Sequence, residues 1–225
     1  MIDLRRRATE PELLDTGVAE AEALASLADL RFVNRWLGNR ASLAAAALPY
    51  LRASPRPRLL DVGCASADLP VFLQARSPRP LIAVGVDVKA LHLAAAPREV
   101  NRVVGDVRAL PFRDEAFDVV TASLFLHHFD AREVASVLAG LFRLARRALL
   151  VNDLRRAWVP YAFGRAAFPV LFRSRVSVAD GLLSIRRAFT ERELRAAFAD
   201  AGVVRVRIRR SWPYRLLAVA ERQAA

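Results

Sequence analysis

The sequence predicts one α/β domain whose mostly parallel sheet is covered by helices on both faces. Five short apolar runs recur at the spacing of strands that alternate with helices. Those runs are continuously apolar, the signature of strands buried on both sides. A length of 225 residues suits a single larger domain with a substantial core.

Residues 10–51 are mostly helix formers, with Leu24, Leu27, Leu30, Val33 and Leu37 at helical spacing, and Gly38 with Asn39 supplies a break. Two or three helices should therefore precede the sheet. Ser54, Pro55, Arg56 and Pro57 read as a linker, dividing the chain into an N-terminal helical segment at 1–52 and a main domain at 53–225. The five runs follow at 59–62, 81–86, 103–104, 117–122 and 148–151. Residues 155–187 break this rhythm, being rich in aromatic, aliphatic and arginine residues without a clean period. They predict a lid insertion over the ligand-binding edge of the sheet. Thr190 followed by Glu193 has the form of a capping box, so a helix should start there and stop near Gly202. The strict alternation from Val204 to Arg209 predicts a strand with one buried face, and 216–220 offers it a partner.

Hydrophobic residues make up 54% of the chain, yet no uninterrupted apolar run of about eighteen residues occurs and charges lie near the N-terminus. The expectation is a soluble, cytoplasmic protein. Cys64 is the only cysteine, and Cys64, His92, His127 and His128 show no metal-ligand spacing, so no metal site is expected. The formal charge of +12 comes almost wholly from arginine, with Lys89 the lone lysine. Because the arginines are scattered, they argue against a nucleic-acid partner. Arg155, Arg156, Arg165, Arg173, Arg175, Arg186 and Arg187 in the insertion still permit peripheral contact with an anionic membrane. Oligomeric state is not legible.

The sharpest motif is the first apolar run leading through Asp61, Val62, Gly63, Cys64, Ala65, Ser66 and Ala67 into a helix. Small side chains there let a ligand approach the backbone, and a helix N-terminus offers N–H groups to an anion. A second strand ends in Asp87, where a carboxylate can accept hydrogen bonds from both hydroxyls of a ribose. The third run leads into Gly105, Asp106 and Val107, which puts another carboxylate at the same edge. A nicotinamide site would need glycines where Ala65 and Asp68 stand, and no phosphate-loop lysine follows the first strand.

From about Arg58 to Asp153 these residues resemble class I S-adenosylmethionine-dependent methyltransferases, the branch that includes quinone-biosynthesis and small-molecule enzymes. The resemblance implies a Rossmann-like methyltransferase fold with a seven-stranded sheet and S-adenosyl-L-methionine as cofactor. It implies Asp61, Gly63, Cys64 and Ala65 beside the methionine part, Asp87 with Val88 at the ribose, Asp106 with Val107 facing the adenine, and Ser123 near the sulfur. Arg35 and Arg40, which flank Trp36 before the domain, can pair with the cofactor carboxylate or belong to a solvated helix face. Ala65 and Ala67 replace the family's second and third glycines, and a positive φ at either would strain alanine by about 1 kcal/mol.

After the fourth strand come His127 and His128, and an imidazole at this edge can take a proton from a phenol or an acidic carbon; His128 is the favoured base. The tetrapeptide with which base-modifying methyltransferases hold exocyclic amines is missing there. Trp158, Tyr161, Phe163, Phe168, Phe172 and Phe189 can line an apolar acceptor pocket or pack the insertion down. The expected activity is methyl transfer to oxygen or activated carbon of a hydrophobic, phenolic or polyketide-like small molecule. The charge leaves open an RNA or protein substrate, and the two alanines leave open a cofactor-free interaction domain.

Overall fold

The computed structural model describes residues 3–36 and 39–223. Helices α1 (Leu13–Thr16), α2 (Glu20–Trp36) and α3 (Asn39–Arg52) lead into β1 (Arg58–Val62). Of the break expected at Gly38 and Asn39, Gly38 lies outside the described residues and Asn39 opens α3. There follow α4 (Asp68–Gln74), β2 (Ile82–Asp87), α5 (Ala90–Ala94), β3 (Asn101–Val104), β4 (Phe117–Ser123), α6 (Val134–Leu144) and β5 (Ala145–Leu154). Then come α7 (Trp158–Leu171), α8 (Arg175–Arg187), α9 (Glu191–Asp200), β6 (Val206–Ser211) and β7 (Arg215–Glu221).

The seven strands lie in the order β3-β2-β1-β4-β5-β7-β6. The first five are parallel, and β7 runs antiparallel to both β5 and β6. Chain direction across the sheet reverses between β1 and β4, so a crevice opens at the carboxyl ends of those strands, where ligands of open α/β sheets bind. Alternate residues of each strand serve opposite layers. Leu60, Val62 and Val120 pack with Leu138, Leu141 and Phe198 of α6 and α9, whereas Leu59, Val119 and Leu150 pack with Leu43, Leu51 and Leu73 of α3 and α4. In α6 the buried Val134, Val137, Leu138, Leu141 and Leu144 recur at three and four residues, which confines one apolar stripe to the sheet.

Thr190 and Glu193 close the expected capping box, with Glu193 N–H donating to Thr190 Oγ1 at 3.3 Å and Thr190 N–H to the Glu193 carboxylate at 2.8 Å. Val204, expected in the next strand, precedes it and is 91% exposed. The alternation is real but its apolar side begins at Val206, where pairing to β7 starts.

Residues 155–187, without a clean period in sequence, form the helical hairpin α7–α8. Periodicity fails because α7 turns Val159, Phe163 and Val170 outward as well as burying Pro160 and Tyr161. At the crossing the Phe168 ring fills a notch left by two glycines: a Cβ would lie 2.8 Å from Phe168 Cε2 at Gly164 and 3.0 Å at Gly181. The hairpin is tied to the N-terminal segment. Asp29 accepts from the N–H groups of Arg173 and Ser174 at the start of α8, and Asp180 accepts from those of Leu13 and Leu14. Arg156 and Arg187 are buried and spend their guanidinium groups on backbone carbonyls and, for Arg156, on the Glu193 carboxylate, so they offer no charge to a membrane.

Candidate active site

At the end of β1 the chain turns through Gly63 at φ 64°, Ala65 at φ 48° and Ala67 at φ 58°. All three positions of the glycine pattern are left-handed, including the two that hold alanine. Gly63 also needs its missing side chain, because the Phe125 ring leaves no room for a Cβ. The turn is fastened to β2. Cys64 N–H donates to Val86 O at 3.0 Å and Ala65 N–H to Asp87 Oδ2 at 3.0 Å. Asp87, buried at the end of β2, takes a second bond on Oδ1 from Lys89 N–H at 2.9 Å and faces His92 Nδ1 at 3.4 Å.

A cavity of about 630 Å³ joins Gly63, Ala65, Asp87, Val88, Asp106, Val107, His127 and His128 along one wall. Asp106, which is exposed, caps a short 3₁₀ turn by accepting from Arg108 N–H at 2.9 Å, and that bond holds its carboxyl below the usual range. Asp61, Cys64, Ser123 and Arg40 instead border a small adjoining recess, which shares Gly63 and Ala65 with the cavity. The Cys64 side chain points away into the core against Gly85, where burial raises its thiol pKa. Only its backbone belongs to the turn. Asp61 accepts from Thr121 Oγ1 at 2.7 Å, and burial pushes its carboxyl up to about 7. Arg40 lies over the Phe72 ring at 4.7 Å, and Arg35 over Trp36 at 5.2 Å. Arg31 comes nearer to the turn, donating from Nε to Ser66 Oγ at 2.9 Å.

These residues fit an adenosyl ligand by their donor set: two carboxylates stand at successive strand ends, and a turn of small residues lets a ligand lie against its backbone. S-Adenosylmethionine would be held by Asp87 and Asp106, with the turn beneath it.

The other half of the cavity is apolar and is closed by the N-terminal segment and the hairpin. Leu14, Leu27, Phe125, Phe163, Phe168, Phe172 and Trp212 line it. Of the six aromatics expected there, Phe163, Phe168 and Phe172 reach it; Tyr161 and Phe189 are buried in packing, and Trp158 lies outside the lining. Arg215 sits in this wall at 1% exposure, and its Nε and Nη1 have no hydrogen-bond partner among the described residues. Burial pulls its pKa down to about 10, opposed by the charge of Asp153.

Between the halves lies a polar floor. His127 Nδ1 is 2.6 Å from Asp153 Oδ1, and its Nε2 is 3.5 Å from Glu12 Oε1. His128 Nδ1 is 2.9 Å from Asp15 Oδ2, and its Nε2 is 3.8 Å from Glu12 Oε2. Ser184 Oγ donates to Glu12 at 2.5 Å. Burial lowers the His128 pKa, but the Asp15 hydrogen bond and the charge of Glu12 outweigh it and leave a net rise. Burial likewise raises Asp153, and the charge of His127 overcomes it to leave that carboxyl lowered. Glu12, Asp15, Asp153 and Arg215 are absent from the sequence reading. Asp153 had a usable signal, since it follows an apolar strand as Asp87 does; Glu12 and Asp15 look like ordinary acids beside a helix start.

A family model for a methyltransferase domain matches residues 60–148. Demethylmenaquinone methyltransferase of Mycobacterium sp. (strain KMS) is 38% identical over 96 residues, covering 43% of this chain and 39% of that protein. The same enzyme of Roseiflexus sp. (strain RS-1) is 36% identical over 105 residues, covering 44% of this chain and 43% of that one. The aligned stretch thus spans about two-fifths of these relatives. Among solved structures, the plantazolicin methyltransferase BpumL, in complex with a triazolic desmethylPZN analog and SAH, superposes with a TM-score of 0.69 at 14% identity, covering 91% of this chain and 97% of its own. A SAM-dependent methyltransferase from Aquifex aeolicus gives 0.61 at 15% identity, covering 87% and 97%. Residues 60–148 thus match a methyltransferase domain, and over most of its length the chain has the fold of these solved methyltransferases.

Proposed function

We propose that this chain methylates oxygen or activated carbon of a hydrophobic, phenolic or polyketide-like small molecule bearing an anionic or carbonyl oxygen. The observation that carries this reading is one continuous cavity, which runs from the strand-end carboxylates to an apolar chamber lined by Arg215, whose Nε and Nη1 have no hydrogen-bond partner among the described residues. A buried guanidinium is costly without a partner, and an acceptor oxygen would supply one. Bound at Asp87 and Asp106, the cofactor supplies an electrophilic methyl group on sulfur. The main domain at 53–225 holds it; the segment at 1–52 and the hairpin at 155–187 enclose the acceptor and exclude water. Loss of the acceptor proton falls to the floor of His127, His128 and Glu12. Exposed Trp158, Val159, Phe163 and Val170 near the chamber suit an acceptor drawn from an apolar phase.

Calorimetric titration with S-adenosylmethionine and S-adenosylhomocysteine tests the cofactor half. Asp87→Ala should lose roughly 1.5–3 kcal/mol, about ten- to a hundredfold in affinity. No heat with the wild type at millimolar cofactor would overturn the assignment. Radiolabelled methyl transfer to phenols and extracted lipids, set against RNA, tests the acceptor half, and label in RNA alone would reject the small-molecule reading.

A further inference from the structure

We propose that Glu12, His127 and His128 form a binding site for one divalent first-row transition ion, with zinc the ion to try first. The inference deepens the methyltransferase reading, in which this floor handles the acceptor proton. Each imidazole donates or shares its Nδ1 proton with a carboxylate, His127 with Asp153 at 2.6 Å and His128 with Asp15 at 2.9 Å. Both Nε2 atoms are thereby turned toward the same Glu12 carboxylate, at 3.5 and 3.8 Å. In neutral imidazoles these are lone pairs, so three acceptors face one another. Direct charge-assisted N–H bonds to Glu12 would be shorter, about 2.7–2.9 Å. The two separations run to different oxygens of Glu12, and one ligand atom from each residue lies within 4.8 Å of the others, somewhat wider than the edge of about 3.4 Å for a polyhedron with bonds of about 2.0–2.1 Å, so a small inward shift of the side chains would close the set on an ion.

The three ligand atoms lie within 4.8 Å of one another. Two histidines and one carboxylate are a donor set for zinc or ferrous iron, and a carboxylate on the far nitrogen of each histidine is the usual outer support of such a site. Ser184 Oγ fixes Glu12 on its other side, and Arg187 holds the loop by donating to the carbonyls of His127 and His128. All three ligands face the cavity. The remaining coordination positions therefore open toward the acceptor, and an ion there would raise the acidity of an acceptor hydroxyl placed on it, its proton leaving to water in place of the metal-bound imidazoles.

The test reads the metal directly. Chelator-treated full-length protein is titrated with cobalt(II), following visible d–d absorption, and its zinc content is measured after loading and dialysis. One equivalent per chain is expected. Glu12→Gln, which keeps an acceptor for Ser184, and His128→Ala should each weaken binding at least about tenfold, and Asp15→Asn by about ten- to a hundredfold through its outer role. Circular dichroism melts establish that each variant is folded. Absence of saturable cobalt and zinc binding up to millimolar ion, or binding unchanged in folded Glu12→Gln and His128→Ala, would overturn the site. Calorimetry with S-adenosylhomocysteine on the same samples separates this outcome from failure of the methyltransferase reading, because cofactor binding at Asp87 does not require the ion.

Discussion

Ala65 and Ala67 hold left-handed backbone where a Cβ is crowded, at φ 48° and 58°. Relief of that crowding should outweigh the extra freedom glycine gives the unfolded chain, so Ala67→Gly is expected to stabilise by up to about 1 kcal/mol. Ala197→Gly, inside α9, should instead cost about 1 kcal/mol, and urea melts of the pair check the contrast. Asp61 carries a second consequence. Its carboxyl is held at about 7 by burial, so the folded state keeps a proton that the unfolded chain has already lost. Rising pH therefore costs folded stability from about 4 to about 7, and the full cost stands above 7. Asp61→Asn should gain on wild type across that window and then level off; a difference independent of pH would show that Asp61 does not hold the proton. Strand-end residues such as Asp87 and Asp106 are legible in sequence because a parallel strand delivers its next residue to the ligand edge. Glu12 is not, since only tertiary folding brings it across 115 residues to His127.

Among the elements, α8 and α7 should behave differently. The start of α8 is capped by Ser174, itself held by Asp29, the middle is tied to α1 through Asp180, and the end is anchored by Arg187. α7 leaves Val159, Phe163 and Val170 to solvent. Hydrogen exchange is expected to be slow along α8 and faster along α7, with acceptor protecting α7 and cofactor alone leaving it unchanged. Equal, slow exchange in both helices would make the hairpin a fixed wall. The element itself was hidden in the sequence because apolar residues on both faces of α7 erase the period by which a helix is recognised. β1 and α9 were legible for different reasons: β1 is a short run apolar on both faces, and α9 opens on a cap whose chemistry is local.

For the molecule as a whole, the cavity has two owners. The strand ends of the sheet provide Gly63, Asp87 and the turn that follows, and residues before β1 provide Glu12, Leu14 and Asp15. A chain lacking residues 1–16 should still bind S-adenosylhomocysteine but lose acceptor turnover by about a hundredfold or more, since catalysis falls steeply once the reacting groups are misplaced. Cofactor binding lost to the same extent would mean that the segment supports the whole cavity. Among the contacts that join the two owners, one side chain reaches both. The Arg187 guanidinium donates to the carbonyls of Thr9, Glu10, His127 and His128 from within α8. It thereby rivets three segments distant in sequence in a protein whose single cysteine rules out an internal disulfide. The rivet depends on a rigid planar fork, and lysine, with one compact head, cannot span those carbonyls. Unlike a sulfur bridge, this fastening is indifferent to reductant: thiol agents should leave the melting temperature unchanged, while Arg187→Lys should lower it sharply and free both ends of the cavity at once.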